Sequence, residues 1–292
     1  MLDLHRLRLL RELRRRGTIT AVAEALSFSP SAVSQQLATL ERETGVGLLE
    51  PAGRRVRLTP QAELLVTHTD VLLEEVERAE SALARSMDEV TGSLKVAAFQ
   101  TAVMALIPSA FTRLQGRAPQ LRVEVTELEP EMALPAMLAG ECDLVMAEEY
   151  PGQPLPRLTG AERTDLLGDE LLVVTPTGWG ARALRELASL PFVMEPVGTT
   201  ARQWATTACR EAGFEPDVRY TTTDLQIHLR LVEEQLAVAL LPALSGARDR
   251  PDVVIQPLIG RPSRQIFTAV RRGASSRPAI QAFIESITRP SE

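Results

Sequence analysis

AVAEALSFSPSAVSQQLATLERETGVGLLEPAGRRVRLTP, residues 21–60, decides how the front of this chain folds. Ala21, Val22, Ala23, Ala25 and Leu26 are small or apolar and make a short helix, capped by Thr18 or Thr20, that can cross a neighbour closely. A tight connection at Ser27-Phe28 follows. Ser29 is a good N-cap and Pro30 takes the first helical position, where its missing N–H costs nothing. This next helix runs to about Thr44, and Gly45 stops it. Val33, Leu37 and Leu40 share one face at i, i+4 and i+7, which leaves Ser31, Ser34, Gln35 and Thr39 on other faces. The remaining GVGLLEPAGRRVRLTP has two strand-like runs about a Pro51-Ala52-Gly53 turn, with Arg54, Arg55 and Arg57 on the return strand. The pattern is helix, turn, helix, then a β-wing.

Upstream, Leu4, Leu7, Leu10 and Leu13 form an apolar stripe on a first helix that Gly17 ends, with arginines on the other face. Downstream, residues 61 to about Glu89 contain no Gly or Pro, and Leu64, Val71, Leu72, Val76, Ala79 and Leu83 keep near-helical spacing for about seven turns. Such a helix needs something to cover its stripe. The same helix of a second subunit is the simplest cover, and a resting place on its own domain is the alternative.

Beyond the break at Thr91-Gly92-Ser93 strands and helices alternate. LKVAAF, LRVEVTELE and CDLVMA read as strands, with helices from about Thr101 to Leu114 and over MALPAMLAGE. YPGQPLPRLTG is a Pro- and Gly-rich crossing, after which LLGDELLVVTP, PFVMEP, a helix from about Thr200 to Ala212, VRYTTT, a helix around Leu225 to Glu234 and VALLP continue the alternation. IFTAVRR and a last helix over PAIQAFIESI return to the first lobe. Repeated β/α units imply a largely parallel sheet with helices on its faces. The expected architecture is therefore multidomain: an all-α winged helix-turn-helix over residues 1–59, a linker helix over 60–90, and an α/β two-lobed unit over 91–292. Lobe I takes about 92–160 plus 267–292, and lobe II about 161–266.

At 292 residues with 45% apolar and 24% charged side chains, the chain has material for several packed cores. Its formal charge of −6 is unevenly spread: residues 1–60 hold ten arginines against six carboxylates, leaving the remainder strongly acidic. A basic head on an acidic body is what one expects when one end meets phosphates and the other does not. No apolar run is long enough for a membrane span or an export signal, so a cytoplasmic protein with no membrane partner is expected. Cys142 and Cys209 stand alone, without a CxxC or Cys/His cluster, so neither a disulfide framework nor a metal site is expected. With three histidines and no GxSxG, P-loop or GxGxxG, no catalytic constellation can be assembled and no cofactor is expected.

Residues 1–65 resemble the LysR-type transcriptional regulators, and the resemblance extends to the C-terminus. It is carried by the Ala-rich second helix, Ser34, Gln36, Leu40-Glu41, Gly45 and the Leu58-Thr59 exit from the wing, and more weakly by IPSAF, AGECDLVMA and VALLP. Ala62, where relatives often have glycine, and Glu234-Gln235, where a small pair is common, are departures. The resemblance implies a regulator that binds double-stranded promoter DNA at a partly palindromic site as a homodimer or homotetramer, with RNA polymerase as a possible further partner. It places Ser29, Pro30, Ser31, Ser34, Gln35 and Gln36 at or near the DNA, Gln35 first for base contact, because an amide can match donor and acceptor patterns in the major groove. Arg54 and Arg55 suit phosphate contact from the wing. The two lobes resemble the periplasmic-binding-protein fold, which implies a small effector between them. Gln100 and Thr101 stand at one helix N-terminus and Gly198, Thr199 and Thr200 at another, an arrangement expected to favour an anion. Tyr150, Thr222 and Thr223 are weaker candidates by loop or hinge position, and His228 reads as a helix residue. Two other readings remain: lobes that serve only in oligomerisation, and a solute-binding protein, which would need the export signal that is missing.

Overall fold

The computed structural model describes residues 1–26, 28–52, 55–87, 89–156, 158–180 and 182–288, with Arg55 described by its backbone alone. At the front, α1 (Leu4–Arg16), α2 (Ile19–Ala25) and α3 (Pro30–Thr44) enclose one core built from Leu7, Leu10, Leu13, Val22, Val33, Leu37 and Leu40. Local chemistry sets each boundary. Asp3, Thr18 and Ser29 cap the three helices by accepting from the backbone N–H of Arg6, Ala21 and Ala32, while Gly17 and Gly45 close α1 and α3 at φ +76° and +70°, where a β-carbon would be strained. The hairpin β1 (Leu49–Ala52) and β2 (Arg55–Leu58) follows, pairing Leu49 with Leu58 and Glu50 with Arg57. Thr59 then does two jobs: its hydroxyl donates to Gly47 O at 2.8 Å and accepts from Ala62 N at the start of the next helix. The Ala62 methyl is fully buried in the front core, so the departure from glycine is absorbed by packing.

That next helix, α4 (Pro60–Arg85), spans 26 residues, about 39 Å at the usual rise. It ends at Ser86, sooner than the sequence pattern reaches. Val66 packs it on the front domain, and Ser81 donates to Gly273 O at 2.9 Å in the rear domain. Gly273, at φ +90°, lets the helix backbone approach so closely that a β-carbon there would meet Glu74 O. Leu64, Val71, Leu72, Val76 and Leu83 lie exposed along the helix.

The rear of the chain forms two α/β lobes. In the first, β3 (Gly92–Ala98) lies parallel to β4 (Leu121–Glu127) and β5 (Leu144–Glu149). The expected single helix after β3 is two, α5 (Gln100–Ala105) and α6 (Ile107–Arg117), because Pro108 would clash with a carbonyl one turn earlier in a continuous helix. α7 (Pro130–Ala139) connects β4 to β5. A 16-residue strand, β6 (Ala161–Pro176), runs through both lobes. In the second lobe lie β7 (Pro191–Met194), α8 (Thr200–Glu211), β8 (Asp217–Thr221), α9 (Leu225–Glu233), β9 (Ala239–Pro242) and β10 (Val253–Pro257), the last a strand the sequence pattern does not mark. β11 (Ser263–Arg271) returns antiparallel to both β5 and β6, and α10 (Pro278–Thr288) packs on the first lobe. The sheet order is β10-β6-β11-β5-β3-β4 with β9 on β6, so β6 and the approach to β11 are the shared spine of the lobes. Each lobe has apolar clusters on both faces of its sheet.

Candidate functional site

Two surfaces hold the predicted residues. On α3, Ser29, Pro30, Ser31, Ser34 and Gln35 are all exposed, on the side away from the buried Val33, Leu37 and Leu40. Ser29 is also the cap, and its hydroxyl lies 3.0 Å from that of Ser31. Gln36 differs: it is half-buried, and its Oε1 accepts from Arg6 Nε at 2.9 Å, which ties α3 to α1 instead of offering the oxygen outward. Arg54 lies outside the described residues, as does the Arg55 side chain, while Arg57 pairs with Glu50 across the hairpin. The three arginines that close α1 are also engaged, Arg14 with Glu63, Arg15 and Arg16 with the buried Glu12.

The second surface is a cavity of about 270 Å³ between the lobes, lined by residues from the carboxyl ends of parallel strands. After β4 come Glu129, Glu131 and Met132; at and after β5 come Glu148 and Tyr150; after β7 come Glu195, Gly198, Thr199 and Thr200. The lobes meet here directly, because Thr200 Oγ1 donates to Glu131 Oε1 at 3.0 Å. Thr199 caps α8 by accepting from Arg202 N.

Of the predicted effector residues, Tyr150, Gly198, Thr199 and Thr200 line this cavity, and Gln100, Thr101 and Thr222 do not. Gln100 is a clasp between lobes: its Nε2 donates to Asp224 Oδ1 at 2.8 Å and its Oε1 accepts from Leu225 N at 2.9 Å. Thr101 is buried with its hydroxyl accepting from Arg264, and Thr222 accepts from Asp224 N through its hydroxyl and from His228 Nε2 through its carbonyl. The α5 N-terminus is thus filled by the protein's own groups. The expectation of an anion-favouring cleft does not fit the wall either, which presents four carboxylates.

Arg264 is the cation beneath that wall, and it was not anticipated. It is 2% exposed, and all five of its N–H donors are used: Nε and one Nη2 proton on Asp169, the other on Thr101, and the two Nη1 protons on Glu148 and the Tyr150 hydroxyl. Attraction to Glu148, Tyr150 and Asp169 outweighs desolvation and holds the guanidinium firmly charged. The remaining carboxylates lack such a partner. Burial first, then repulsion from Glu148, pushes the Glu195 carboxyl up to about 7, offset in part by the Thr199 hydroxyl. Burial, then Glu148 and Glu195, pushes Glu129 up to about 8; Glu129 keeps much of its surface open, so its shift is the more readily screened of the two. A sequence signal for this wall existed in the acids of TELEPEM and in Glu195 after PFVM, each just past a strand end.

α7 joins the two surfaces. Its N-terminal turn lines the cavity, and at its C-terminus Leu138 O accepts from Arg11 Nη2 of α1 at 2.5 Å, with Arg16 paired to Glu141 just beyond. Cations at the negative end of a helix are favourably placed. A cavity of about 300 Å³ remains between α1, α2 and this end of α7.

Residues 4–63 match the model of the lysR-family bacterial regulatory helix-turn-helix proteins, and residues 87–290 match the LysR substrate binding domain. A probable hydrogen peroxide-inducible genes activator of Streptomyces viridosporus is 31% identical over 274 residues, covering 87% of this chain and 83% of that one. The transcriptional dual regulator OxyR of Escherichia coli is 27% identical, covering 91% and 88%. Among solved structures, a full-length OxyR variant from Pseudomonas aeruginosa has a TM-score of 0.67 at 22% identity over 98% of this chain and 95% of that one. Full-length CbnR complexed with its target DNA has a TM-score of 0.56 at 21% identity over 98% of each. Both similarities are of fold. With both of its domains matched and nearly its whole length covered, the chain belongs to the LysR family of DNA-binding transcriptional regulators.

Proposed function

We propose that this regulator reads promoter DNA through the exposed face of α3, with Gln35 meeting base edges and Ser29, Ser31 and Ser34 fixing the helix on the duplex, and that a small molecule between the lobes sets this activity through α7. The observation that carries the reading is the placement of α7, about 15 Å long, with one end in the inter-lobe wall and the other hydrogen-bonded to the DNA-binding domain. Closure or opening of the lobes changes the angle of α7, and the loosely filled space beside α1 leaves room for the front domain to follow. The exposed apolar stripe of α4 supports a homodimer through that helix. No catalytic role is assigned to the lobes, and among the described residues no helix is long and apolar enough to cross a membrane.

The Streptomyces relative's name refers to hydrogen peroxide, and the thiols here argue against carrying that over. Cys142 and Cys209 sit in separate apolar clusters, and burial pushes their thiols up to about 11 and about 12, whereas the thiolate is the form that attacks a peroxide.

Gln35→Ala tests the reading head. Anisotropy titrations on a site selected from random-sequence DNA should show a loss of about 1–3 kcal/mol, roughly 5- to 150-fold, with binding to random DNA nearly unchanged. An equal loss on both would remove Gln35 as a base reader.

A further inference from the structure

We propose that the inter-lobe cavity takes an organic cation of amino-acid size, bound through an ammonium or guanidinium group. The proposal rests on the reading of this cavity as the effector site and adds the class of its ligand.

Three independent features carry it. First, Glu129, Glu131, Glu148 and Glu195 converge on one cavity, and the buried cation beside them, Arg264, has spent every donor on Asp169, Thr101, Glu148 and Tyr150. Among the described residues, an entering anion would meet carboxylates and no free guanidinium; a cation would relieve repulsion already present. Arg202 of α8 turns its guanidinium to the Glu195 carbonyl oxygen at 3.0 Å and is outside the lining.

Second, a smaller cavity of about 20 Å³, walled by Trp204 and His228, adjoins the first and shares Tyr150, Glu195 and Ala201 with it. His228 is 2% exposed and its Nε2 lies 2.8 Å from Thr222 O, which can only accept. The proton is therefore on Nε2, and burial keeps the ring neutral by lowering its pKa. Nδ1 is left as a buried acceptor with no partner among the described residues. A ligand that brings an N–H donor to this end of the wall would satisfy that acceptor.

Third, the rings of Tyr150 and Trp204 stand 5.9 Å apart where the two cavities adjoin, and an aromatic surface beside a desolvated cation is favourable. About 270 Å³ suits a small molecule. Among the described residues no group of three or more His, Cys, Asp or Glu side chains is placed to hold a metal ion, so the charge is sought in an organic group. Glu195, pushed up to about 7, holds part of a proton near neutral pH, which adds a signature: a cation displaces that proton and binds more tightly as pH rises, while an anion does the reverse.

The experiment uses the full-length protein and two panels in thermal shift and calorimetry at constant ionic strength. One panel holds L-arginine, L-lysine, agmatine, putrescine and choline; the other holds benzoate, succinate and citrate, with Mg²⁺ and Ca²⁺ as separate probes. At least one organic cation should bind, at least threefold more tightly at pH 8.5 than at pH 6, and Glu195→Gln should weaken it about tenfold. Binding of an anion or a metal ion with no organic cation bound overturns the proposal, as does silence of the whole cation panel or a cation indifferent to Glu195→Gln. Specific DNA binding measured in parallel separates the two readings. If an anion, and no cation, alters it, the effector reading stands and the ligand class fails. If a cation binds in the cleft and DNA binding never responds, the class stands and the effector reading fails.

Discussion

Arg264 satisfies Asp169 and Glu148 at the base of the cleft, and what it leaves above is a wall of carboxylates that repel one another. The cost is measurable through pH. The Glu195 and Glu129 carboxyls titrate above their ordinary 4.5, so the stability they carry is complete below about pH 4.5 and is lost as pH rises through about 7 and 8, because the unfolded chain ionises first. Glu195→Gln removes its share of that slope. Its Tm should match the parent near pH 4.5 and exceed it by roughly 2–4 °C at pH 8.5; superimposable melting profiles across that range would show that Glu195 is not destabilised in the fold. The α3 residues were legible in sequence because cap, proline and apolar spacing orient the helix unaided. The cleft was legible only in part. Thr199, Thr200 and Tyr150 follow from position along the chain, but Arg264 comes from a strand more than a hundred residues after the carboxylate it pairs with, and no local pattern announces such a meeting.

At the scale of elements, periodicity served where an element faces one core and failed where two constraints act together. α1, α3 and most of α4 carry a clean stripe. The α5–α6 break turns on Pro108, and the end of α4 at Arg85 has no Gly or Pro to mark it. The Glu234-Gln235 departure also has a structural trace, since Gln235 adopts φ +59°, a conformation natural to glycine. α4 carries the clearest element-level prediction. Leu72 and Leu83 are exposed on it, Leu83 at 70%, and the proposed homodimer would bury them. Leu72→Glu with Leu83→Glu should convert the dimer to monomer in sedimentation velocity, with circular dichroism unchanged. A dimer that survives both charges would place the subunit contact elsewhere.

The whole molecule divides its charge between a basic reading head and an acidic sensing body, and α4 and α7 are the members that touch both. Arg271 braces this junction, pairing with Glu77 of α4 and Asp143 while donating to Met137 O in the last turn of α7 and to Cys142 O beyond it. Peroxide should leave the assembly alone. Millimolar hydrogen peroxide should add no oxygen to Cys142 or Cys209 by peptide-level mass spectrometry and should not change DNA affinity, and rapid oxidation of either thiol would overturn the reading of both as inert. The central claim is that the separation of the lobes sets DNA binding. The Thr200–Glu131 contact bridges them, so a Glu131→Cys, Thr200→Cys double variant can be locked with a short bis-maleimide while the buried native thiols stay unmodified. Cross-linking should change affinity for the specific site at least fivefold with either single-cysteine variant unaffected. A locked protein that binds its DNA as the free one does would contradict the account.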